Sequence, residues 1–163
     1  MFELKPLSKE AIPAALEKAE HYRLLNEPNP AVSICLDILE VDPDNQKALI
    51  SIVLAMSDNF SEDYSVGDAE VKEYVARIED EYKRTYYTGI VFERRAKAIL
   101  NNGPEGSEST AFELFRQAMD WFEKAESISP EENDDAILRW NGCARMINNN
   151  NLRPRRVHGD FIE

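Results

Sequence analysis

An all-α fold is what the sequence predicts, and three observations carry that prediction. Apolar residues recur at three- and four-residue spacing through seven stretches. No stretch alternates apolar and polar residues between hairpin signals. Two distant stretches repeat one pattern of small and large residues closed by a proline. With 163 residues, 43% apolar and 31% charged, the chain suits one domain with a real core.

The elements follow in order. Ala15, Leu16, Ala19, Tyr22 and Leu24 or Leu25 mark a first helix of about 17 residues, with Ser8 able to cap it. Glu27-Pro28-Asn29-Pro30 interrupts the pattern, and Asn29 can cap a second helix whose first turn tolerates Pro30. That helix carries Ala31, Ile34, Cys35, Ile38 and Leu39 and turns at Val41 to Asn45. The third, about Gln46 to Ser57, is apolar on nearly every side and belongs at the centre of the packing. Asp58 to Gly67 reads as a loop, because Asn, Ser, Asp and Gly compete with helix. A fourth helix is expected over about Asp68 to Lys83, a fifth over about Thr85 to Asn101, and a loop at Asn102 to Ser107. Phe112, Phe115, Ala118, Met119, Phe122 and Ala125 place the sixth at Ala111 to Ile128. Asn133 or Asp134 can cap a seventh that buries Ala136, Ile137, Trp140, Cys143, Ala144 and Ile147.

The repeat decides between a simple bundle and a solenoid. Ala31-x3-Cys35-x2-Ile38-x4-Pro43 and Ala118-x3-Phe122-x2-Ala125-x4-Pro130 share one spacing, their prolines 87 residues apart. Small residues let paired helices approach, the larger one fills the gap to the next pair, and proline ends the helix. A second pattern leads each pair: Ala15-x2-Lys18-Ala19-x2-Tyr22, Leu49-x2-Ile52-Val53-x2-Met56, Phe92-x2-Arg95-Ala96-x2-Ile99 and a degenerate Ala136-x2-Arg139-Trp140-x2-Cys143. The lead residues step by 34, 43 and 44, which places insertions of 9 and 10 in the two loops found on composition.

On these motifs the chain resembles a tetratricopeptide-repeat protein of three repeats plus a closing helix. No proline follows the fourth helix, Tyr74 stands where a small residue is usual, and Gly142 could be the close-contact residue of the last helix. The resemblance implies a right-handed α-solenoid of antiparallel helix pairs over residues 1–149, followed by a short mobile tail over 150–163. It also implies a concave groove lined by the first helix of each repeat, receiving an extended peptide or a partner helix. Register places Glu20, Arg23 and Leu24, then Lys47, Ile50 and Leu54, then Glu93 and Lys97, then Asn141 and Arg145 on that lining. The carboxylate-clamp subclass has Lys and Asn where this chain has Leu16 and Glu20, then Ile50 and Leu54, so capture of a chaperone's carboxyl-terminal tail is disfavoured.

Charge bounds the partners. Nineteen basic against 31 acidic residues give −12, which repels phosphate backbones and anionic membrane surfaces, so neither nucleic acid nor membrane is expected. Residues 61–82 hold Glu62, Asp63, Asp68, Glu70, Glu73, Glu79, Asp80 and Glu81, a solvated face or an acidic docking surface. Lys83, Arg84, Arg94, Arg95 and Lys97 gather around Tyr86, Tyr87 and Phe92. They either pair with the acidic helix before them or, around Tyr86, Tyr87, Arg94 and Arg95, offer a small-anion site. Arg153-Pro154-Arg155-Arg156 is a basic tail.

Little in the sequence points to catalysis. His21 and His158 lack neighbouring ligands at metal spacing, Glu131 to Asp135 reads as helix capping, and Asn102 to Gly106 lacks the lysine of a phosphate loop. Cys35 and Cys143 read as buried thiols. No secretory signal or membrane-spanning run is visible, which makes a cytoplasmic protein the expectation. The expected function is a non-catalytic protein–protein interaction module without cofactor or metal. An acidic chaperone for a secreted protein and a small-anion-binding helical protein are the alternatives. The apolar breadth of the third helix leaves self-association open.

Overall fold

The computed structural model describes residues 1–61 and 68–156. Glu62, Asp63 and His158, singled out above, lie outside the described residues. Within them are seven α-helices and no strand: α1 (Ile12–Leu24), α2 (Pro28–Val41), α3 (Gln46–Asp58), α4 (Asp68–Ala76), α5 (Glu81–Asn102), α6 (Glu108–Ser127) and α7 (Asp135–Asn149). Short 3-10 turns at Lys9–Ala11 and Asn59–Ser61 lead into α1 and follow α3. None of the helices is long and apolar enough to cross a membrane.

Local chemistry sets the boundaries, sometimes away from the predicted ones. Ser8 makes no side-chain cap; its carbonyl accepts from Ala11 N–H at 3.1 Å and opens the 3-10 turn, so α1 starts later than expected. Asn29 is not the cap of α2 either. Pro28 already satisfies the first-turn position, and the Asn29 carboxamide oxygen accepts instead from Asn59 Nδ2 at 2.7 Å. Asn45 does cap α3, its Oδ1 accepting from Ala48 N–H at 2.9 Å.

Helix α4 ends seven residues before the predicted Lys83, and the reason lies in the 77–80 link. Asp80 accepts from Lys83 N–H at 2.8 Å and starts α5 afresh. Gln46 holds the link from outside, accepting from Glu79 N–H at 2.9 Å and donating to the Arg77 carbonyl at 3.4 Å. Ile78, 1% exposed, plugs the core at the break.

Two helices close through left-handed asparagines. Asn26 (φ 60°) follows α1, with Glu27 N–H donating to the Tyr22 carbonyl at 2.9 Å. Asn151 (φ 52°) follows α7, with Leu152 N–H donating to the Ile147 carbonyl at 3.0 Å. Both satisfy terminal carbonyls in the manner of a Schellman motif. At α7 the motif turns Leu152 into the core, so packed structure runs past residue 149 before the exposed Arg153 to Arg156.

Consecutive helices pack in pairs, and α1 also touches α3 while α3 touches α5. Helix α3 is central as predicted: Leu49, Ile52 and Val53 have no exposed surface. One apolar cluster joins α1 to α4, with Val91 and Ala98 of α5 reaching into it. The other joins α5, α6 and α7, with Leu54 of α3 packed against it. Tyr87 borders both. All six residues of the repeated pattern, Ala31, Cys35, Ile38, Ala118, Phe122 and Ala125, are wholly buried, as are Ala19, Val53 and Ala96 at the small position of the leading pattern. Burial therefore explains why these spacings recur.

The tightest helix contact was not anticipated. A Cβ built on Gly89 would lie 2.6 Å from the Phe122 ring, so only glycine lets α5 settle on α6 there. Gly142 has no such constraint, since its nearest neighbour would be Glu93 Oε1 at 4.0 Å.

Candidate functional site

Helices α1 and α3 leave between them a cleft of about 630 Å³ that reaches Tyr87 on α5. Ile12, Leu16, Ile50, Leu54 and Tyr87 form its apolar surface, and Glu17, Glu20, Arg23 and Lys47 supply charge along its walls. Five predicted groove residues, Glu20, Arg23, Lys47, Ile50 and Leu54, thus stand together in one concavity. The spacing that put them on one register is the four-residue recurrence of each helix.

At the inner end of the cleft a carboxylate ties three helices. Asp58, ending α3, accepts from Arg23 Nε of α1 at 3.0 Å and pairs with Arg94 Nη1 of α5 at 2.8 Å. The same Arg94 nitrogen lies 2.7 Å from both the Leu54 carbonyl and Ser57 Oγ. Burial lowers the Arg94 pKa, with Asp58 pulling it back up and Arg23 and Arg139 pushing it further down. Arg94, expected among the groove residues, is therefore a brace and is not part of the cleft's lining.

A second knot follows along α5. Glu93 is 2% exposed, which corrects its placement on an open groove lining. Its two oxygens meet Lys97 Nζ at 3.3 Å and Arg139 Nη1 of α7 at 3.2 Å. Arg139 Nε also donates to the Tyr86 hydroxyl at 3.3 Å. Asn141 (half-buried) and Arg145 (exposed) sit on α7 outside these ion pairs. Arg139 is the residue of this face that sequence reasoning passed over. Its signal was its place in the degenerate fourth leading pattern, where a charged residue stands at the position equivalent to Ile52.

The basic, tyrosine-rich cluster does not converge. Arg95 turns to Asp68 at 3.0 Å and stacks on Phe60, its guanidinium 3.7 Å from the ring centroid. Tyr86 stacks on Tyr82 and leans on Phe122, both with ring centroids 5.8 Å apart, while Arg94 faces Asp58. Among the described residues, the expected ion pairing with the acidic helix is made by Arg95. The four residues offer no shared anion pocket.

The remaining candidates are structural. Asn133 Oδ1 accepts from Asp135 N–H at 3.0 Å, so the Glu131 to Asp135 run opens α7. Among the described residues no three His, Cys, Asp or Glu side chains come together as metal ligands. Burial pushes the Cys35 and Cys143 thiols up to about 12. No family model matches the chain, and neither a curated protein nor a solved structure matches it.

Proposed function

We propose that the chain is a non-catalytic protein–protein interaction module, a right-handed solenoid of tetratricopeptide-like helix pairs whose cleft between α1 and α3 receives a segment of a partner protein. The observation that carries this reading is the cleft itself: an apolar surface walled by charge, where five of the groove residues assigned by register stand together. Supporting it are the burial of the helix residues of the proline-closed pattern, the burial of Ala19, Val53 and Ala96 in the leading one, and the contact of α1 with α3 and of α3 with α5. An apolar concavity with a few polar groups at its edge binds by area and orients by charge. On this reading the protein works in the cytoplasm.

The test removes cleft surface at two residues that pack against the amino-terminal core without being fully buried in it. Leu16 and Ile50 are half-buried and line the cleft. In affinity capture, the Leu16→Ser/Ile50→Ser protein should lose the partners retained by the wild type while keeping its helical circular dichroism. Equal retention of the same partners by both proteins would refute the groove.

A further inference from the structure

We infer that the segment received by the cleft is acidic, carrying Asp or Glu beside apolar residues; this rests on the groove reading above. Four cations, Arg23, Arg94, Lys97 and Arg139, share two carboxylates, Asp58 and Glu93, along the inner ends of α1, α3, α5 and α7. Glu93 is the hidden member of its pairs, while Asp58, its side chain 25% exposed, stands level with Arg23 at 19% and Arg94 at 20%. Glu93's side chain is 3% exposed, against 41% for Lys97 and 39% for Arg139. In a molecule of net charge −12, four cations on two carboxylates give this stretch a local excess of positive charge, most open to solvent at Lys97 and Arg139.

Arginine chemistry sharpens the point. A guanidinium has five N–H donors in a planar fork. Arg23 spends Nε on Asp58, and its two terminal nitrogens make no ion pair or hydrogen bond among the described residues. Arg23 also lines the cleft beside Leu54 and Tyr87. A ligand carboxylate held by those nitrogens would place its neighbouring side chains over the apolar surface. Glu17 and Glu20 on the α1 wall oppose it, which orients the ligand with its acid towards the Arg23 end. A basic segment would instead be drawn to the acidic exterior, Asp68, Glu70 and Glu73 of α4 among it, and away from this end of the cleft.

The experiment selects displayed random dodecapeptides on the full-length protein and measures winners by fluorescence anisotropy. Peptides with Asp or Glu next to apolar residues should be enriched, and their affinity should fall as salt rises. Arg23→Gln should weaken them about tenfold, the scale of one charge-assisted contact. Glu20→Gln, at an exposed position that makes no ion pair among the described residues, should strengthen them and keeps the test alive if Arg23→Gln misfolds. Winners that are basic or uncharged, yet are lost in Leu16→Ser/Ile50→Ser, would overturn the acidic inference and leave the groove standing. Winners indifferent to that double variant, or no winners at all, would overturn the groove reading itself. Dimers of the protein that Arg23→Gln dissociates would show a second copy on this face and would also overturn the inference.

Discussion

Gly89 is a residue whose importance comes from what it lacks. Helix interiors ordinarily favour alanine over glycine by about 1 kcal/mol, but the Phe122 ring fills the space a methyl would need. Gly89→Ala should therefore destabilise the protein by about 1–3 kcal/mol, the usual cost of overpacking, while Gly142→Ala, with open space around it, should be neutral or stabilising. Urea unfolding of the two variants checks the contrast. Neither outcome is legible in the sequence, where both glycines sit mid-helix and only Gly142 falls in a repeat register. A helical period tells which face is buried; it does not tell how near the opposing ring comes.

The thiols and tyrosines give a pH dependence at the same scale. Burial raises Cys35 and Cys143 from 9.0 to about 12, and it raises Tyr74, Tyr82 and Tyr87 above 10.0. The unfolded chain then gives up protons at lower pH than the folded one, so folding stability is complete below pH 9 and declines above it. Each thiol should remove about 1.4 kcal/mol per pH unit between those two values. Urea midpoints at pH 8, 9 and 10 should fall in that order; a flat profile would contradict the burial of both thiols.

At the scale of elements, the joints between helices are carried by few residues. Asp58 connects α1, α3 and α5 through its side chain, and Asp58→Ala takes from two guanidiniums the carboxylate they share. With both arginines about one-fifth exposed, a loss of about 1–3 kcal/mol is expected. A double-mutant cycle with Arg94→Ala should then show strong coupling. Leu152 fastens α7, and Leu152→Ala should cost about 2–5 kcal/mol; a chain truncated after Asn149 should melt lower for the same reason.

How much of this was readable differs from element to element. The centrality of α3 followed from its apolar breadth. The break at residues 77–80 did not, because what stops the helix is Gln46, 31 residues earlier in the chain and bound to a peptide carbonyl. Glu93 was assigned to the groove by register alone. The Arg139 guanidinium that covers it comes from a helix whose register the sequence left open.

Across the whole molecule, the two apolar clusters meet along α5. Tyr87 touches both, and Val91 and Ala98 belong to the amino-terminal one although their helix lies mainly in the other. This sharing should make unfolding a single event. Trp121 and Trp140 both lie in the carboxyl-terminal half, so their fluorescence and the far-ultraviolet circular dichroism of the whole chain should share one midpoint. In Tyr87→Ala/Val91→Ala the seam is thinned, and the two signals should separate, the tryptophans reporting only their own half.

Cys35 and Cys143 fall in different clusters, each sealed from water. A bridge between them would require both cores to open at once, and a peroxide or disulfide reagent in solution meets neither sulfur while the chain is folded. The native state is consequently indifferent to the thiol–disulfide poise of its surroundings: the same structure would persist in glutathione or in an oxidising medium, and any cysteine chemistry would record the unfolded fraction alone.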